Sequence, residues 1–433
     1  MKKVFKNIAL YIGILSTILA SSCKPEIEGL QTTAGQADFS KYIAVGNSLT
    51  AGFADGGLYL EGQKVAFPNL IAEQLQQVGN TNFRSPFFSE TERNGSGYIQ
   101  LQALVEGQPI MENVTDNLAY RAAGKLSKYT EDIENLGVPG MRLDLSTQDW
   151  FGALNMYFER LLPDSDVGAK TYMQFATEKN HTFFSFWLGN NDVLGYAMNG
   201  AVTNPTDPTT VLTETATFEQ VYSGFIEALT TNDRKGVVAT IPDVTAIPFF
   251  TTVTRAALIA AVKAESGQDV QDIYIMTGNG IPRAATDDDL FVLPFASAGL
   301  LGSTSVENPA PYGLHPLNPV ESNYVLDTDE VASVQARVTA FNRIIKNIAE
   351  AKKLALADAH AYLNRVKEPG IMYNGVAINA SFITGNAFSL DGVHLTPMGN
   401  ALMANLFIEA INKQYGSKIP KVDASQYRGV KFP

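Results

Sequence analysis

The sequence is poor in cysteine, in basic residues and in long apolar runs. Its one cysteine, Cys23, cannot form a disulfide within the chain, and nothing in the sequence resembles a metal site built on thiolates. Lys and Arg number 32 against 44 Asp and Glu, a net charge of −12, which argues against nucleic acid or an anionic lipid surface as a partner. After the first 22 residues, no stretch is long and apolar enough to cross a membrane. With 45% hydrophobic residues over 433 positions, the chain can still bury a full core.

The first residues have the composition of an export signal. Three lysines precede an apolar run at residues 8–20, which is too short to span a bilayer, and small residues follow it. We therefore expect residues 1–22 to be a signal peptide. Cys23 comes directly after Leu-Ala-Ser-Ser, a sequence that resembles the lipobox of bacterial lipoproteins. That resemblance implies acylation of Cys23 and an exported protein held by its lipid at a bacterial membrane, which we expect to be the outer membrane. The alternative is an ordinary secreted protein with a chance cysteine.

The remainder of the chain divides into a tether, one large domain and a tail. Residues 23–40 are polar and small without an apolar period, which is typical of a tether. Residues 41–415 are predicted to form the domain, and residues 416–433 a C-terminal tail. Four short apolar runs predict buried strands, at residues 42–45, 182–188, 236–241 and 354–357, with a weaker candidate at 133–136.

Helical periodicity separates these strands. It is clearest at residues 331–353, where apolar residues recur every three or four positions, and at residues 397–412, which follow the favourable start Thr396-Pro397. Strands that alternate with helices predict an α/β fold with a central parallel sheet and helices on both faces. In such sheets ligands bind beyond the carboxyl ends of the strands, so the residues at those ends are the candidates for function.

Glycine and polar residues follow three predicted strands. The runs are Gly46-Asn47-Ser48, Gly137-Val138-Pro139-Gly140 and Gly189-Asn190-Asn191-Asp192, and a fourth group, Asp391-Gly392-Val393-His394, lies in a loop just before the last helix. Taken singly, each group has an ordinary structural role. Ser48, Asn191 or Asp192 could cap a helix, Gly140 could belong to a plain turn, and a loop histidine is usually solvated.

Together, and in this order, the four groups resemble the sequence blocks of the SGNH hydrolases, also called the GDSL esterase and lipase family. The resemblance implies a three-layer α/β/α, flavodoxin-like fold that carries large insertions, here expected near residues 79–131 and 251–329. It also implies a Ser-His-Asp triad and an oxyanion hole without a cofactor or metal. The residues that match are Ser48, His394 and Asp391 for the triad, and Ser48, Gly140 and Asn191 for the oxyanion hole.

One position departs from the family pattern. The aspartate that normally precedes the serine is Asn47 here. That aspartate is not a triad member, so its replacement removes no proton-transfer step, and asparagine keeps an oxygen that can accept a hydrogen bond from the backbone. We expect the change to affect rate more than mechanism.

Other enzyme classes lack their motifs in this sequence. There is no Gly-x-Ser-x-Gly elbow, no His-Glu-x-x-His, no phosphate-cradling Gly-x-x-x-x-Gly-Lys loop and no Gly-x-Gly-x-x-Gly. The sequence therefore predicts a serine esterase or lipase acting on a small-molecule or lipid ester. A carbohydrate acetylesterase of the same fold is one alternative, and an inactive binding lipoprotein is another. The apolar segment at residues 291–302, FVLPFASAGLLG, is predicted either to line an acyl pocket or to be core of the second insertion.

Overall fold

The computed structural model describes residues 31–79, 82–105, 107–267 and 269–433. Strands in these ranges are β1 (Tyr42–Gly46), β2 (Tyr98–Val105), β3 (Gln108–Val114), β4 (Tyr120–Ala122), β5 (Lys125–Leu126), β6 (Phe183–Trp187), β7 (Lys235–Ala239), β8 (Tyr274–Met276), β9 (Pro282–Ala284), β10 (Leu290–Phe291), β11 (Val325–Leu326), β12 (Ala355–Ala357), β13 (Ile371–Tyr373) and β14 (Val376–Ile378). The predicted signal peptide and Cys23 lie outside the described residues, so both the signal peptide and the lipid anchor stay predictions.

The α-helices of the described chain are numbered in the same way. They are α1 (Ser48–Ala51), α2 (Leu60–Lys64), α3 (Phe67–Leu75), α4 (Phe151–Leu154), α5 (Met156–Glu159), α6 (Tyr172–Thr177), α7 (Asn191–Met198), α8 (Thr215–Leu229), α9 (Pro248–Thr251), α10 (Arg255–Ser266), α11 (Thr328–Ala351), α12 (Ala359–Lys367) and α13 (Pro397–Tyr415). Within the ranges given above, no helix is both long and apolar enough to cross a membrane.

The centre of the fold is a parallel four-stranded sheet in the order β1-β6-β7-β12. All five residues of β6 are buried, as expected for a strand covered on both faces. Helices α3 and α13 pack together on one face, and α6, α8 and α11 cover the other. Phe218 of α8 stacks on Phe341 of α11 with ring centroids 3.8 Å apart. The predicted three-layer α/β/α fold is confirmed.

The weaker strand candidate at residues 133–136 forms less structure than a strand. It runs parallel to β1 but makes a single bridge, between Ala44 and Asn135. Ala44 N–H donates to the Glu134 carbonyl at 2.9 Å, and Leu136 N–H donates to the Ala44 carbonyl at 2.8 Å. The segment thus extends the sheet at its β1 edge and brings the following loop, with Gly140, to the carboxyl end of β1.

Both expected insertions carry small sheets of their own. Residues 79–131 contain the antiparallel pairs β2-β3 and β4-β5, and residues 251–329 contain α10, the β8-β9 hairpin and the β10-β11 pair. The second insertion ends at Asp327, whose carboxylate caps α11 in a capping box with Glu330. That box explains why α11 begins three residues earlier than the apolar periodicity predicted.

The tether prediction needs a correction at its C-terminal end. From Thr33 onward the chain belongs to the same compact unit as the domain. Phe39 is buried and meets the Phe183 ring edge-on at 4.8 Å, and Gln36 N–H donates to the Tyr415 carbonyl at 2.9 Å. An aromatic ring that covers the sheet end, together with backbone pairing, is enough to fix a segment whose sequence is otherwise polar. Residues 33–40 are therefore part of the packed domain.

The C-terminal tail also packs against the domain. Val422 and Ala424 are buried, and Asn405 of α13 exchanges two hydrogen bonds with the backbone of Val422, at 2.7 and 2.8 Å. Further on, Arg428 pairs with Glu61 of α2 at 2.7 Å. These contacts show that the tail runs back along α13, from the end of that helix to its start, where Arg428 reaches α2.

Candidate active site

Ser48 is presented at the carboxyl end of β1 by a tight turn into α1. The backbone of Gly46 leaves no room for a side chain, because a Cβ there would lie 2.0 Å from Thr50 Oγ1. Asn47 is the N-cap of α1, and its Oδ1 accepts a hydrogen bond from Leu49 N–H at 3.1 Å. The amide at this position thus makes the local backbone contact expected of it. Ser48 itself is only 7% exposed, so its hydroxyl is shielded on most sides.

The loop before α13 brings an imidazole and a carboxylate to Ser48. His394 Nε2 lies 2.9 Å from Ser48 Oγ, and His394 Nδ1 lies 2.8 Å from Asp391 Oδ2. With Nδ1 donating to the carboxylate, Nε2 is left as the acceptor of the serine proton. The Phe53 ring lies against the imidazole with a centroid distance of 4.7 Å. Hydroxyl, imidazole and carboxylate therefore form one hydrogen-bonded chain between groups 346 residues apart.

Asp391 is held ionised despite its burial. Burial by itself raises the pKa of a carboxyl group, but the partner His394 and several hydrogen bonds oppose it and hold the pKa of Asp391 well below its usual range. Its Oδ1 accepts from His394 N–H at 2.8 Å and from Val393 N–H at 2.9 Å. An ionised acceptor at Nδ1 both orients the imidazole and stabilises its protonated form.

Besides Ser48, the candidate oxyanion donors are Gly140, in a loop, and Asn191, at the start of α7. Gly140 has a φ of +78°, a left-handed conformation that favours glycine, in the loop that follows β1's edge segment. Asn191 is the first residue of α7, and its Nδ2 donates to the Met141 carbonyl at 2.9 Å. This bond uses one of the two amide hydrogens. Asn191 lines the same cavity as Ser48 and His394, and Gly140 lies one residue from the carbonyl that orients Asn191.

Neither Asn191 nor Asp192 caps α7. The N-cap residue is Asn190, whose side chain makes no capping hydrogen bond. Asp192 is fully buried and instead accepts from Leu143 N–H at 2.7 Å and from Asp144 N–H at 3.1 Å. The carboxylate of Asp192 thus joins the start of α7 to the loop that carries Gly140.

Sequence reasoning missed the arginine that completes this junction. Arg142, 1% exposed, donates to both carboxylate oxygens of Asp144 at 2.9 and 2.7 Å and to Thr213 Oγ1 at 2.6 Å. Its Nη1 also donates to the Asn191 carbonyl at 3.3 Å. Burial and the nearby Asp144 raise the pKa of Asp192 to about 6, whereas Arg142 opposes the rise. The only sequence signal was an arginine two residues after Gly140, followed two residues later by an aspartate.

The cavity beside Ser48 is small and apolar. Its volume is about 50 Å³, and its walls include Trp187, Leu194, Val244, Ile247, Leu363 and Phe388. The walls come from the ends of the sheet strands and from the helices that follow them. A group bound at Ser48 would therefore contact mainly hydrocarbon side chains in this cavity and no charged ones.

Of the two interpretations of residues 291–302, the structure favours insertion core over an acyl pocket, because none of these residues lines the cavity. Phe291 pairs with Val325 in the β10-β11 sheet and is completely buried, and its ring stacks on Phe295 at 5.8 Å. The buried residues of the segment are Phe291, Val292 and Phe295, whereas residues 296–302 are exposed or half-buried. Leu293 approaches the loop of the triad acid, with its Cδ2 3.0 Å from where a Cβ on Gly392 would be.

We expect Asn191→Ala to lower kcat for ester hydrolysis by about a hundredfold, because one donor to the developing oxyanion is lost. Since Asn191 does not cap α7, the melting temperature should change little. Steady-state kinetics and a thermal melt on the same sample measure both quantities. The control is Thr254→Ala, which removes the N-cap of α10 away from the site and should lower stability by about 1 kcal/mol without changing kcat. An Asn191→Ala variant that lost stability but kept its rate would remove Asn191 from the oxyanion hole.

One protein family matches most of the domain. The family model described as GDSL-like Lipase/Acylhydrolase matches residues 42–407. A comparison with curated proteins gives no match. Among solved structures, LAE5, an alpha/beta hydrolase from the metagenome of Lake Arreo, Spain, has 12% identity and a TM-score of 0.36, covering 87% of this chain and 96% of its own.

Two further structures are similarly distant. A variant of Axe2, an acetyl xylan esterase from Geobacillus stearothermophilus, has 12% identity and a TM-score of 0.36, with 89% of this chain and 99% of that chain covered. The lipase/acylhydrolase from Enterococcus faecalis has 10% identity and a TM-score of 0.34, with 89% and 100% covered. Likeness at this distance does not carry a substrate from one protein to the other. The family match spans most of the domain, and the chain therefore belongs to the GDSL-like lipase/acylhydrolase family of ester-hydrolysing enzymes.

Proposed function

We propose that this enzyme is a serine esterase that uses Ser48, His394 and Asp391 as its triad and passes through an acyl-enzyme. The observation that supports the proposal most is the chain of two short contacts, 2.9 Å from Ser48 Oγ to His394 Nε2 and 2.8 Å from His394 Nδ1 to Asp391 Oδ2. A serine hydroxyl becomes a useful nucleophile only when an oriented base takes its proton. Binding of an ester without turnover would require no such chain.

The proposed reaction has two halves. In the first, Ser48 Oγ attacks the ester carbonyl while His394 Nε2 takes the hydroxyl proton, and the same proton then goes to the leaving alcohol as its C–O bond breaks. In the second, His394 Nε2 takes a proton from water as the water oxygen attacks the acyl carbon. The bond between the acyl carbon and Ser48 Oγ then breaks, His394 returns the proton to Ser48 Oγ, and the acid is released. The negative oxygen of each tetrahedral intermediate would accept from Ser48 N–H, Gly140 N–H and Asn191 Nδ2.

The size of the apolar cavity favours a short acyl group. A cavity needs about 10–15 Å³ for each water-sized group, so the 50 Å³ available would hold about three to five heavy atoms. The absence of charge among its described walls suits a hydrocarbon chain rather than a dicarboxylic one. Acyl chains of about two to four carbons fit this space, and longer chains would have to displace buried side chains such as Trp187.

A series of p-nitrophenyl esters from acetyl to octanoyl tests this function. We expect kcat/KM to rise about fourfold for each methylene up to butyryl, at about 0.8 kcal/mol per buried methylene, and to fall for octanoyl. Leu194→Ala enlarges the cavity and should move the optimum to a longer chain. Leu300→Ala makes the same change in a half-buried leucine outside the cavity and should leave the optimum where it is.

Two results would contradict the size argument. One is a wild-type optimum at octanoyl, and the other is an equal shift in Leu194→Ala and in Leu300→Ala. Failure of the wild type to cleave any ester of the series would contradict the esterase itself. It would favour a binding protein that has kept the fold.

A carbohydrate acetylesterase is the second candidate, and the small cavity favours it because an acetyl group fits with room to spare. It shares the triad and differs in the leaving alcohol. Release of acetate from an acetylated oligosaccharide at a higher kcat/KM than from p-nitrophenyl acetate would select it. The lipid anchor at Cys23 remains a prediction about location and is independent of this choice.

A further inference from the structure

A tight turn at residues 54–57 touches the loop that carries Asp391. Ala54 and Gly57 exchange backbone hydrogen bonds at 3.0 and 2.9 Å, and the two residues between them have positive φ, +52° at Asp55 and +76° at Gly56. Two successive left-handed residues form a turn of the I′ kind, in which aspartate is one of the few side chains other than glycine that is readily accommodated. The turn follows α1 and thus connects the nucleophile's own segment with the loop of the triad acid.

Three contacts from this turn reach the triad acid or its neighbours. Gly56 N–H donates directly to Asp391 Oδ2 at 2.9 Å. Asp55 N–H donates to Ser389 Oγ at 3.0 Å, and that hydroxyl donates to Asp391 Oδ1 at 3.1 Å. Asp55 Oδ1 accepts from Leu390 N–H at 2.9 Å. The loop is therefore held on both sides of residue 390 by groups 335 residues earlier in the chain.

The Asp55 carboxylate is also held by a buried tyrosine. Its Oδ2 accepts from the Tyr59 hydroxyl at 2.7 Å, and Tyr59 is 3% exposed and stacks on Tyr98 with ring centroids 4.1 Å apart. Burial raises the pKa of Asp55 and the charge of Asp391 raises it further, whereas the hydrogen bonds from Leu390 and Tyr59 and the charge of Arg428 lower it. The titratable and charged groups that act on Asp55 are thus Tyr59, Asp391 and Arg428, and Arg428 is in turn paired with Glu61.

We propose that Asp55, Gly56 and Ser389 form a carboxylate clasp, in which Asp55 and Ser389 are positioning residues that hold Asp391 against His394. The inference rests on the proposed function, because it assigns these residues to the same triad. It also explains the buried, hydrogen-bonded carboxylate of Asp55, which the triad mechanism itself does not use. Neither residue touches the ester.

Steady-state kinetics on p-nitrophenyl acetate test the part that Asp55 plays. Asp55→Gly tolerates the left-handed backbone but removes the carboxylate that accepts from Leu390 N–H and from the Tyr59 hydroxyl. We expect kcat to fall about tenfold with KM within about twofold, because a misplaced Asp391 impairs the transition state more than ester binding. Asp55→Asn keeps an oxygen that can accept from Leu390 N–H and also tolerates the left-handed backbone, so it should restore most of kcat.

Ser389→Ala tests the part that Ser389 plays. We expect kcat to fall about tenfold with KM within about twofold, because a misaligned carboxylate impairs the transition state more than ester binding. Asp38→Gly is the matched control for Asp55→Gly, since the Asp38 carboxylate also accepts a hydrogen bond from a nearby backbone N–H, that of Ser40 at 2.9 Å, on the exposed segment before β1. It should change neither kcat nor KM.

An unchanged kcat in both Asp55→Gly and Ser389→Ala would overturn the clasp, provided that the wild-type enzyme is active. If wild type itself does not cleave p-nitrophenyl esters, the proposed function has failed and the clasp with it.

Discussion

Ser48→Ala and His394→Ala are each expected to lower kcat for ester hydrolysis by at least about a thousandfold, and the double variant to lose little more. The reason is that hydroxyl and imidazole act as one unit, joined by the 2.9 Å contact between Oγ and Nε2. Without either group, the proton transfer from the hydroxyl to the imidazole cannot take place, so removing the second group costs little more. Steady-state kinetics on a short-chain p-nitrophenyl ester measure the loss, with enzyme concentrations high enough to follow the residual rate.

Covalent labelling gives a second readout of the same pair. A fluorophosphonate should attach to Ser48 Oγ with loss of fluoride, add one phosphonyl group to the intact mass, and fail to attach in Ser48→Ala. In His394→Ala the labelling should be slow but still at Ser48.

The controls are a buried serine and a histidine outside the site. Ser185 in β6 is 1% exposed and bonds the Tyr42 hydroxyl at 2.7 Å, and His360 lies in α12. Ser185→Ala and His360→Ala should keep the rate per folded molecule. Near-normal turnover by Ser48→Ala, or a label on another serine, would remove Ser48 as the nucleophile.

Arg142→Met is expected to lower the free energy of unfolding by about 3–5 kcal/mol, the usual result of removing one partner from a buried ion pair. Arg142 is 1% exposed, and its loss would leave Asp192 and Asp144 without a cation in the interior. Urea or guanidinium unfolding at pH 8 measures the change. Because the same arginine holds the loop of Gly140, kcat should fall as well.

The loss should depend on pH in a defined direction. An acid whose pKa is higher in the folded chain than in the unfolded chain destabilises the fold as pH rises between the two values. For Asp192 these are about 3.9 in the unfolded chain and about 6 in the folded chain. Removing Arg142 raises the folded value further, so the deficit of Arg142→Met should be smaller at pH 5 than at pH 8.

Arg84→Met is the control for this prediction. Arg84 also pairs with two acids, Asp132 and Glu134, but its side chain is 42% exposed. An exposed pair of this kind contributes at most about 1 kcal/mol, so the control should stay close to wild type. If Arg142→Met lost equally little free energy of unfolding at pH 8, the contacts of Arg142 with its neighbouring acids would not stabilise the loop that carries Gly140.

Local patterns were sufficient for the elements of the sheet. The apolar run at residues 182–188 predicted a buried strand, and the structure has β6 at Phe183–Trp187. Thr396-Pro397 predicted the start of the last helix, and α13 begins at Pro397 with Thr396 capping it. These features are readable because a strand between two helical layers needs apolar side chains on both faces, and a helix start needs a side chain that satisfies its free N–H groups.

Patterns of the same kind were ambiguous or wrong where a segment's partners lie far away in the chain. The composition of residues 291–302 allowed either an acyl pocket or insertion core, and the pairing of Phe291 with Val325 favours core. Residues 33–40 have the composition of a tether, yet Phe39 packs on Phe183. An apolar run predicts that its side chains are shielded from water, but it does not indicate whether protein or substrate shields them.

The sequence by itself determined the α/β alternation and the residue types at the strand ends, because helix and strand periods, caps and glycine turns are properties of neighbouring residues. That Ser48, His394 and Asp391 meet was expected only from the resemblance to a known family, and the contacts themselves come from the tertiary structure. Ser48 and His394 are 346 positions apart, and Asp55 lies 335 positions before the Leu390 amide that its carboxylate binds. No spacing along the chain encodes such contacts, since they exist only when the packed layers bring separate loops to one edge of the sheet.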